Sequence, residues 1–460
     1  MNINNVLRYL GLIIAGTGIF MLVPFITSLI YGESETGAFA VSLVISLVVG
    51  VGLWRLIPIK QKGIKQREAI LIVVGGWVGA SAFGALPYVL SGALPNYLDA
   101  FFEALSGYTT TGASVMADID VQSHSVLIWR SLSQWLGGMG IIMLFVAMFP
   151  LLGIGAAHLI DAEMPGQQGE KLRSRIQDTA KVLWLTYMGL TILEVICLLF
   201  TGMSFYDAAC VTFSTVSIGG FTTTALSIAS YNSLAVEMIV MVFMLLAGVN
   251  FGLYYYVFWK GQPGKLWHNS EFKLYLALVF GAVLLVNIDL VANTGMAVAD
   301  ALRYGSFNTV SIATTTGFST MDFDGWPPLS RSLLLVLMVI GASAGSTGGA
   351  LKVVRVLVLV KYTYRRLRRT FNPSHIIPLK LDGNVIPNSV VSRIISLTII
   401  YLVVLWGGFV AMSALGLDLV TALSAVTASL GNVGPGLGGV GPALNYASIP
   451  EIGKGVLILL

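Results

Sequence analysis

The chain has 460 residues, of which 56% are hydrophobic and 10% are charged, and its formal net charge is +4 at pH 7. Soluble globular domains carry about 25% charged residues, so this composition excludes a water-soluble domain and predicts a surface that mostly faces lipid. Cys197 and Cys210 lie in apolar segments, which indicates no disulfide framework. The histidines are too widely spaced to suggest a metal site: His124, His158, His268 and His375.

Apolar runs long enough to cross a bilayer recur along the whole chain. A hydrocarbon core of about 30 Å requires roughly 20 apolar residues in a helix. The first run follows Arg8, is longer than a signal-peptide core and precedes no clear cleavage site, so we interpret it as a transmembrane helix. The predicted spans are 9–31, 38–58, 69–91, 126–152, 182–202, 232–259, 272–292, 330–360 and 389–415.

A tenth apolar run begins near Ile452 and reaches the last residue given, Leu460. About nine residues are too few to cross a bilayer. We therefore expect the sequence given to be incomplete at its C-terminus.

Most basic residues lie in segments that one membrane face would share, and the charge rule predicts that this face is cytoplasmic. They are Arg8, Arg55, Lys60, Lys62, Lys65, Arg67, Lys171, Arg173, Arg175, Lys181, Lys260, Lys265, Lys273, Lys352, Arg355, Lys361, Arg365, Arg366, Arg368, Arg369, Lys380 and Arg393. The opposite loops are acid-biased and contain Glu33, Glu35, Asp99, Glu103, Asp118, Asp120, Asp207, Asp300, Asp322, Asp324 and Asp418. This alternation requires four segments that leave and re-enter the membrane on the outer side.

Four half-length apolar segments occupy those outer positions: 98–109, 205–216, 300–313 and 418–430. Each is too short to cross the bilayer and is followed by a polar loop that contains glycine. Irregular backbone at membrane depth is tolerated only where it is buried in protein or lines a watery cavity. Four such segments therefore predict a central cavity.

The four loops align on one glycine each, and these glycines recur at intervals of roughly 100 residues: Gly112, Gly220, Gly317 and Gly434. A unit of helix, half-helix, loop and helix thus repeats four times, and all four units run parallel. In one loop, turn formation would be the simpler interpretation of a glycine. Four matched positions favour a shared function.

Such loops have the chemistry of a cation pathway. A dehydrated cation needs oxygen ligands, which rings of backbone carbonyls supply, and glycine permits the positive φ that tightly turned loops require. The partly negative C-terminal end of each half-helix favours a cation. Acids near the opposite ends suit the helix dipole and lower the potential of the outer mouth: Asp99, Asp207, Asp300 and Asp418.

The segments TTTGAS, STVSIGGFTT, SIATTTGF and SLGNVGPGL resemble the four pore loops of the Trk/Ktr/HKT superfamily of potassium transporters. The resemblance runs from position 69 to the end, and the extra pair of helices at 9–58 is similar to the TrkH branch. It implies an all-α polytopic membrane protein with four parallel M1–pore-helix–loop–M2 repeats around a central pore, plus two extra N-terminal transmembrane helices. The units are 1–66 for the N-terminal pair and 67–175, 176–265, 266–385 and 386–460 for the pore repeats, the last with a truncated helix.

The resemblance also implies a K⁺ selectivity filter at Thr110, Thr111, Gly112, Ile218, Gly219, Gly220, Thr315, Thr316, Gly317, Asn432, Val433 and Gly434. In some plant relatives a serine at the first glycine is associated with sodium permeation, so Gly112 favours potassium. Two departures matter: only the first and third loops read Thr-Thr-Gly, and the family's pore-facing arginine falls in the truncated region and is not assigned.

The predicted span 330–360 is interrupted by GASAGSTGGA at 341–350. This segment is unsuited to a continuous helix, because each glycine costs about 1 kcal/mol relative to alanine. We hypothesise an unwound segment below the loops, and the resemblance implies that it is an intramembrane gate, formed by Gly345, Ser346, Thr347, Gly348, Gly349 and Lys352. The alternative is a small-residue stripe for tight helix packing.

Several other features are weaker. A GxSxG match at 341–345 and a GxGxxG match at 434–439 lack the strand context and partner residues of a hydrolase or nucleotide site. Glu194 lies inside a predicted span and is either functional or paired with a polar neighbour. The basic run at 365–369 either faces anionic headgroups or docks a regulatory protein.

Together these observations predict potassium uptake across the bacterial inner membrane by a multi-pass protein without catalytic residues, a cofactor or a nucleic-acid partner. The resemblance implies a homodimer and a separate cytosolic nucleotide-binding subunit of TrkA type. Coupling to H⁺ or Na⁺ stays open. The alternatives are a weakly selective K⁺/Na⁺ pathway, a secondary transporter of another small solute, which would predict inverted repeats, and a membrane enzyme, which would need clustered ionisable residues.

Overall fold

The computed structural model describes residues 2–58, 66–152, 169–371 and 377–460, and it describes no side chains for 66, 141–152 and 169–179. Lys60, Lys62, Lys65, His158 and His375 therefore lie outside the described residues, as do the side chains of Lys171, Arg173 and Arg175. The regular secondary structure of the described residues is almost entirely helical.

The first helices are α1 (Ile3–Phe20), α2 (Leu22–Tyr31), α3 (Thr36–Leu56), α4 (Gln66–Gly84), α5 (Leu86–Leu90), α6 (Tyr97–Tyr108), α7 (His124–Leu152), α8 (Gly169–Leu199), α9 (Phe205–Ser217) and α10 (Leu234–Ala247). They are followed by α11 (Phe251–Tyr254), α12 (Gly264–His268), α13 (Ser270–Thr294), α14 (Val298–Asp300), α15 (Ser306–Thr314), α16 (Pro328–Ile340), α17 (Val353–Phe371), α18 (Asn388–Ala414), α19 (Leu419–Leu430) and α20 (Glu451–Leu459). Short 3₁₀ turns occur at Ser227–Tyr231, Gly438–Val440 and Tyr446–Ser448.

Most predicted spans correspond to long apolar helices. Among the described residues, those that could cross a membrane by length and composition are Ile3–Tyr31, Thr36–Leu56, Arg67–Leu90, Ala180–Leu199, Ser270–Thr294 and Asn388–Ala414. The predicted span 126–152 falls on α7, and the predicted tenth run falls on α20.

Two predicted spans are broken. The prediction of one continuous helix over 232–259 is wrong, because α10 and the following Phe251–Trp259 segment meet at 92° across a short break. That second segment is α11 continued by a π-helical turn at Tyr255–Trp259. The span 330–360 consists of α16 and α17 separated by irregular backbone at 341–352, which confirms the predicted interruption.

The four half-length segments are confirmed as short helices, namely α6, α9, the α14–α15 unit and α19. The third unit contains a π-helical turn, Ala301–Gly305, that joins α14 to α15. The expectation of a purely helical chain needs one small correction. A two-stranded antiparallel hairpin, β1 (Lys380–Leu381) with β2 (Asn384–Val385), turns at Asp382 and Gly383, which both have positive φ.

Two hydrophobic clusters hold the helices together. One joins buried residues from α8 through the start of α17, together with Ala428, Val433 and Leu437. The other connects the N-terminal helices, α6 and α7 to α18, α19 and α20, so both ends of the chain share one core. Phe102 and Tyr446, whose ring centroids are 5.9 Å apart, mark this closure.

Four basic residues lie on the predicted outer side, against the general charge distribution, and the structure pairs each of them with an acid. Arg130 pairs with Glu103, Arg303 with Glu237, Arg331 with Asp324 and Lys454 with Asp99, at N–O distances of 2.8, 2.7, 3.0 and 2.7 Å. These pairs neutralise the outer-side cations, so the remaining outer acids keep that side negative.

Candidate functional site

The four half-length helices end in the same hydrogen-bonded turn. In each, an amide near the loop glycine donates back to a carbonyl of the last helical turn at 2.8 Å. The four bonds run from Thr111 to Ser106, from Gly219 to Ser214, from Thr316 to Ser311 and from Val433 to Ala428. In each turn the preceding amide also donates to the carbonyl three residues before it, at 3.0 or 3.1 Å, which completes a Schellman motif. The repeat predicted from sequence spacing is therefore also a repeat of backbone conformation.

The residue that turns each helix end is in the left-handed region, and in no loop is it glycine. Thr110, Ile218, Thr315 and Asn432 have φ of 58°, 58°, 69° and 51°. Asparagine tolerates this region, whereas threonine and isoleucine are genuine outliers there because their branched Cβ crowds the backbone. Such residues cost about 1–3 kcal/mol each and persist only where the surroundings fix them. Thr110, Ile218 and Thr315 are indeed buried.

The aligned glycines bring neighbouring loops into backbone contact. We name the loops 1 to 4 for residues 109–113, 217–221, 314–318 and 431–435. The φ values of Gly112, Gly220, Gly317 and Gly434 are 79°, 80°, 84° and 92°, a region that glycine adopts freely.

A β-carbon added at each glycine would meet a carbonyl oxygen of the next loop. At Gly112 it would meet Gly219, at Gly220 it would meet Thr316, and at Gly317 it would meet Val433. At Gly434 it would lie 2.9 Å from the carbonyl oxygens of both Gly112 and Thr111. Loop 1 therefore contacts loop 2, loop 2 contacts loop 3, loop 3 contacts loop 4, and loop 4 contacts loop 1. The four loops form a closed ring.

The ring is not fourfold in its side chains. The Thr111 hydroxyl donates to the Asn432 side-chain oxygen at 2.7 Å, which joins loops 1 and 4 directly. Tyr446 donates to the carbonyl of Gly434 at 2.7 Å. In loop 2 the Gly219 carbonyl accepts from the amide of Gln134 at 2.6 Å. Loops 1, 2 and 4 are thus supported by different partners.

The acids near the starts of the short helices act partly as predicted. Asp418 caps α19 by accepting from the amides of Val420 and Thr421 at 3.0 and 3.1 Å. A hydrogen bond with the Thr421 side chain, together with these backbone bonds, lowers the pKa of the Asp418 carboxyl below its ordinary value. Asp207 exchanges hydrogen bonds with Ser204, the N-cap of α9. Negative charge at these positions stabilises the N-terminal ends and leaves the partly negative C-terminal ends at the loops.

The irregular segment 341–352 lies against the ends of three short helices. The Thr347 hydroxyl donates to the carbonyl of Val216 in α9 at 3.1 Å, and the amide of Gly349 donates to the Thr315 hydroxyl at 3.0 Å. An added β-carbon at Gly349 would also meet the carbonyl oxygen of Gly431. The segment therefore contacts the helix ends that lead into loops 2, 3 and 4.

All six predicted gate residues lie in this segment. The Lys352 ammonium donates to the carbonyl of Gly348, and Lys352 itself has a φ of 76°, an uncommon conformation for lysine. The Ser346 hydroxyl donates to the Ser343 carbonyl at 2.6 Å. The carbonyl of Gly345 accepts from the amide of Phe251 at 3.0 Å.

Two supports of this segment were missed by the sequence reasoning. The break between α10 and α11 packs against it, because the Ser343 amide donates to the Gly248 carbonyl at 3.1 Å. Glu271, at the start of α13, accepts from the amide of Ala344 at 2.6 Å. Gly248 followed by Asn250 could have indicated the break between α10 and α11, because asparagine favours helix N-caps and Asn250 caps α11. Glu271 gave no signal beyond an acid in a first turn.

Glu194 lies behind the second loop. It is fully buried in α8, and its carboxyl lies beside the Thr215 hydroxyl of α9. Thr215 is also the acceptor of the Ile218 amide in the helix-end turn. Neither carboxyl oxygen of Glu194 accepts a hydrogen bond from the described residues, because the Thr215 hydroxyl donates instead to the Val211 carbonyl at 2.8 Å. The structure therefore does not support the pairing interpretation.

The sequence profile of the family described as TrkH, cation transport protein, matches residues 36–460. The chain belongs to the TrkH family. It is 37% identical over 464 aligned positions to the Trk system potassium uptake protein TrkH of Escherichia coli K12, with all of this chain and 95% of the relative covered.

Further members of the TrkH family give the same result. The Trk system potassium uptake protein TrkH of Halomonas elongata is 35% identical, with 100% of this chain and 95% of the relative covered. The crystal structure of the potassium transporter TrkH from Vibrio parahaemolyticus superposes with a TM-score of 0.91 at 35% identity, covering 100% of this chain and 95% of that one.

The family resemblance drawn from the loops is therefore confirmed, and so is the assignment to a multi-pass membrane protein that is a transporter and not an enzyme.

Proposed function

We propose that this TrkH-family protein takes up potassium across the bacterial inner membrane through the ring formed by loops 1 to 4. The observation that carries the proposal is the closed contact order of the ring, in which each loop glycine lies against a carbonyl of the next loop. Relatives that match the whole chain are named potassium uptake proteins of the Trk system, which supports K⁺ as the substrate.

The ring supplies the chemistry that a dehydrated K⁺ needs. Backbone carbonyls from residues on both sides of the four glycines replace water ligands, and four helix C-termini add partial negative charge. We assign the filter to Thr110, Thr111, Gly112, Ile218, Gly219, Gly220, Thr315, Thr316, Gly317, Asn432, Val433 and Gly434. The four-repeat architecture with units 67–175, 176–265, 266–385 and 386–460 and the N-terminal unit 1–66 belong to the same proposal.

The irregular segment is the proposed gate. Its contacts with the ends of α9, α15 and α19 support this role, because a shift of the segment would open or block the path below loops 2, 3 and 4. Gly345, Ser346, Thr347, Gly348, Gly349 and Lys352 are the proposed moving residues. Glu271 and the α10–α11 break hold the segment in the conformation described.

Regulation by a cytosolic nucleotide-binding subunit of TrkA type, acting on a homodimer, completes the proposal. The name Trk system, which the relatives carry, supports a multi-component assembly. On this chain, α17 ends in a basic run that includes Arg368 and Arg369 and would offer such a subunit a positively charged surface.

Complementation tests the function. The chain would be expressed, with its partner subunit supplied, in a bacterium that lacks K⁺ uptake and is grown at low external K⁺. Rescue is expected, and failure despite correct membrane insertion would refute K⁺ uptake. Gly112→Ser would then lower K⁺ flux relative to Na⁺ flux. A wild-type protein that carries both ions equally would instead support the weakly selective alternative, and uptake of another solute would support a secondary transporter.

A further inference from the structure

Behind loops 1 and 2 lies a fully buried ion pair that the proposed function does not use. Glu103 on α6 and Arg130 on α7 have side-chain exposures of 0% and 1%, and their Oε1 and Nε atoms are 2.8 Å apart. Burying two charges is costly, and a buried ion pair is weak evidence of a gain in stability. The hydrogen bonds of the pair are therefore a better guide to its role than its contribution to stability.

Every further bond of the pair goes to a residue just after a loop glycine. Glu103 accepts from the Val115 amide at 2.9 Å and from the Ser114 hydroxyl at 2.9 and 3.1 Å. Arg130 donates to the Ser114 hydroxyl and to the Thr222 carbonyl, both at 3.1 Å. Its guanidinium also lies 4.2 Å from the ring centroid of Phe221.

Ser114 and Thr222 occupy matching positions after Gly112 and Gly220. The Glu103–Arg130 pair therefore joins equivalent points on two neighbouring loops. The next turn of α7 extends the same support, because Gln134 donates to the Gly219 carbonyl at 2.6 Å and accepts from the Phe221 amide at 3.0 Å. The Gly219 carbonyl is the atom that loop 1 contacts through Gly112.

The third repeat contains a neutral counterpart. Asn308 precedes Gly317 by the same interval that separates Glu103 from Gly112. Its side-chain oxygen accepts from the Thr320 amide at 3.2 Å, and Thr320 occupies the position that matches Val115. The corresponding residues of the other repeats, Val211 and Ala425, are apolar. An acceptor at this position thus ties a loop to its own short helix, and only in the first repeat is that acceptor a charge paired with arginine.

We propose that the Glu103–Arg130 pair is a positioning element that fixes the spacing of loops 1 and 2 and so determines selection of K⁺ over Na⁺. This inference rests on the proposed filter and extends it to residues outside the loops. Arginine suits the role because its planar fork bonds Glu103, Ser114 and Thr222 at fixed angles. A lysine would keep the charge and lose this geometry.

The test compares K⁺ and Na⁺ flux in proteoliposomes that contain the purified protein. Arg130→Lys is expected to insert and to conduct, but its K⁺/Na⁺ ratio should fall about tenfold, the change that one charge-assisted hydrogen bond supports. The double variant E103Q/R130Q leaves no unpaired buried charge, and its K⁺/Na⁺ ratio should fall by a similar factor. Ser114→Ala, the mildest change, removes only the hydroxyl between the two charges and should give a smaller fall.

The control is E237Q/R303Q, which neutralises a second well-ordered outer pair. In the described part of the chain, the hydrogen bonds of Arg303 go to Glu237 and Asn232 and not to a loop. Its selectivity should stay at the wild-type value.

Wild-type selectivity in Arg130→Lys and in Ser114→Ala, both folded, would overturn the inference while leaving the filter proposal intact. An equal fall in the E237Q/R303Q control would also overturn it, since any outer pair would then matter. Absence of K⁺-selective flux in the wild-type protein would instead refute the proposed function.

Discussion

Replacing the loop glycines one at a time by alanine should damage the ring by unequal amounts. At Gly317 the new β-carbon would meet the Val433 carbonyl oxygen and lie 2.7 Å from Cδ of Pro435. Real β-carbons essentially never approach other atoms within 3.0 Å, and backbone cannot swing aside as a side-chain tip can. The left-handed backbone adds about 1–2 kcal/mol.

At Gly434 the corresponding contacts are the least severe of the four, at 2.9 Å to the carbonyls of Thr111 and Gly112. A displacement of a few tenths of an ångström would relieve them. Gly434→Ala should therefore keep measurable K⁺ selectivity, whereas Gly317→Ala should lose it, because loops 3 and 4 would have to separate.

The measurement is the K⁺/Na⁺ flux ratio in proteoliposomes, with melting temperature recorded for each variant. Gly202→Ala separates backbone strain from steric contact, because Gly202 has a φ of 87° and no atom within 4 Å of an added β-carbon. This control should lower stability by about 1–2 kcal/mol without changing selectivity. Wild-type selectivity in Gly317→Ala, or a larger loss in Gly434→Ala than in Gly317→Ala, would refute the reasoning.

Three further predictions concern the gate and the outer side. Gly349→Ala should raise K⁺ flux in the absence of any partner, because its β-carbon would push the segment away from the Gly431 carbonyl. Glu271→Gln should also raise basal flux, since it weakens a charged hydrogen bond to Ala344 worth about 1.5–3 kcal/mol. Glu33 accepts from the amides of His124 and Ser125 at the start of α7. Although burial opposes it, hydrogen bonding lowers the pKa of Glu33. Its stabilisation of about 1 kcal/mol should be complete above the ordinary glutamate pKa of about 4.3 and disappear as the pH falls through the lower folded-state value.

These predictions have simple controls. Gly189→Ala places a β-carbon where no atom lies within 4 Å and should leave flux unchanged. Unchanged basal flux in both Gly349→Ala and Glu271→Gln would contradict the gate. For Glu33, thermal melts of wild type and Glu33→Gln should converge at low pH, and a constant difference at every pH would show that the carboxylate charge is irrelevant.

The helical framework followed from the sequence because its signals are local. Apolar length marked the spans, and the half-length segments and their glycines revealed the repeat. The glycine content of 341–350 identified a broken helix, since backbone propensity acts residue by residue. Bilayer thickness and helix propensity together fix these features without knowledge of the tertiary contacts.

Features that depend on tertiary contacts were not predictable in the same way. The 92° break after α10 is held by contacts with the irregular segment. Those contacts are remote in sequence, and the local sequence of apolar residues therefore predicted a continuous helix. Arg130 and Glu103 pair across two helices. From the sequence alone, Glu103 was indistinguishable from the other acids of the outer loops. The order of the loops around the ring could be determined only from the contacts at the glycines in the structure.

The ring of loops is built from one chain, and this has a consequence for how such a protein can change. In an assembly of four identical subunits, one codon change would alter all four corners at once. Here each of the four loop glycines lies against different partner residues of the next loop. Each corner can therefore vary alone. In the proposed pathway, ion preference can drift in small, separately tolerated steps while the other three corners stay unchanged.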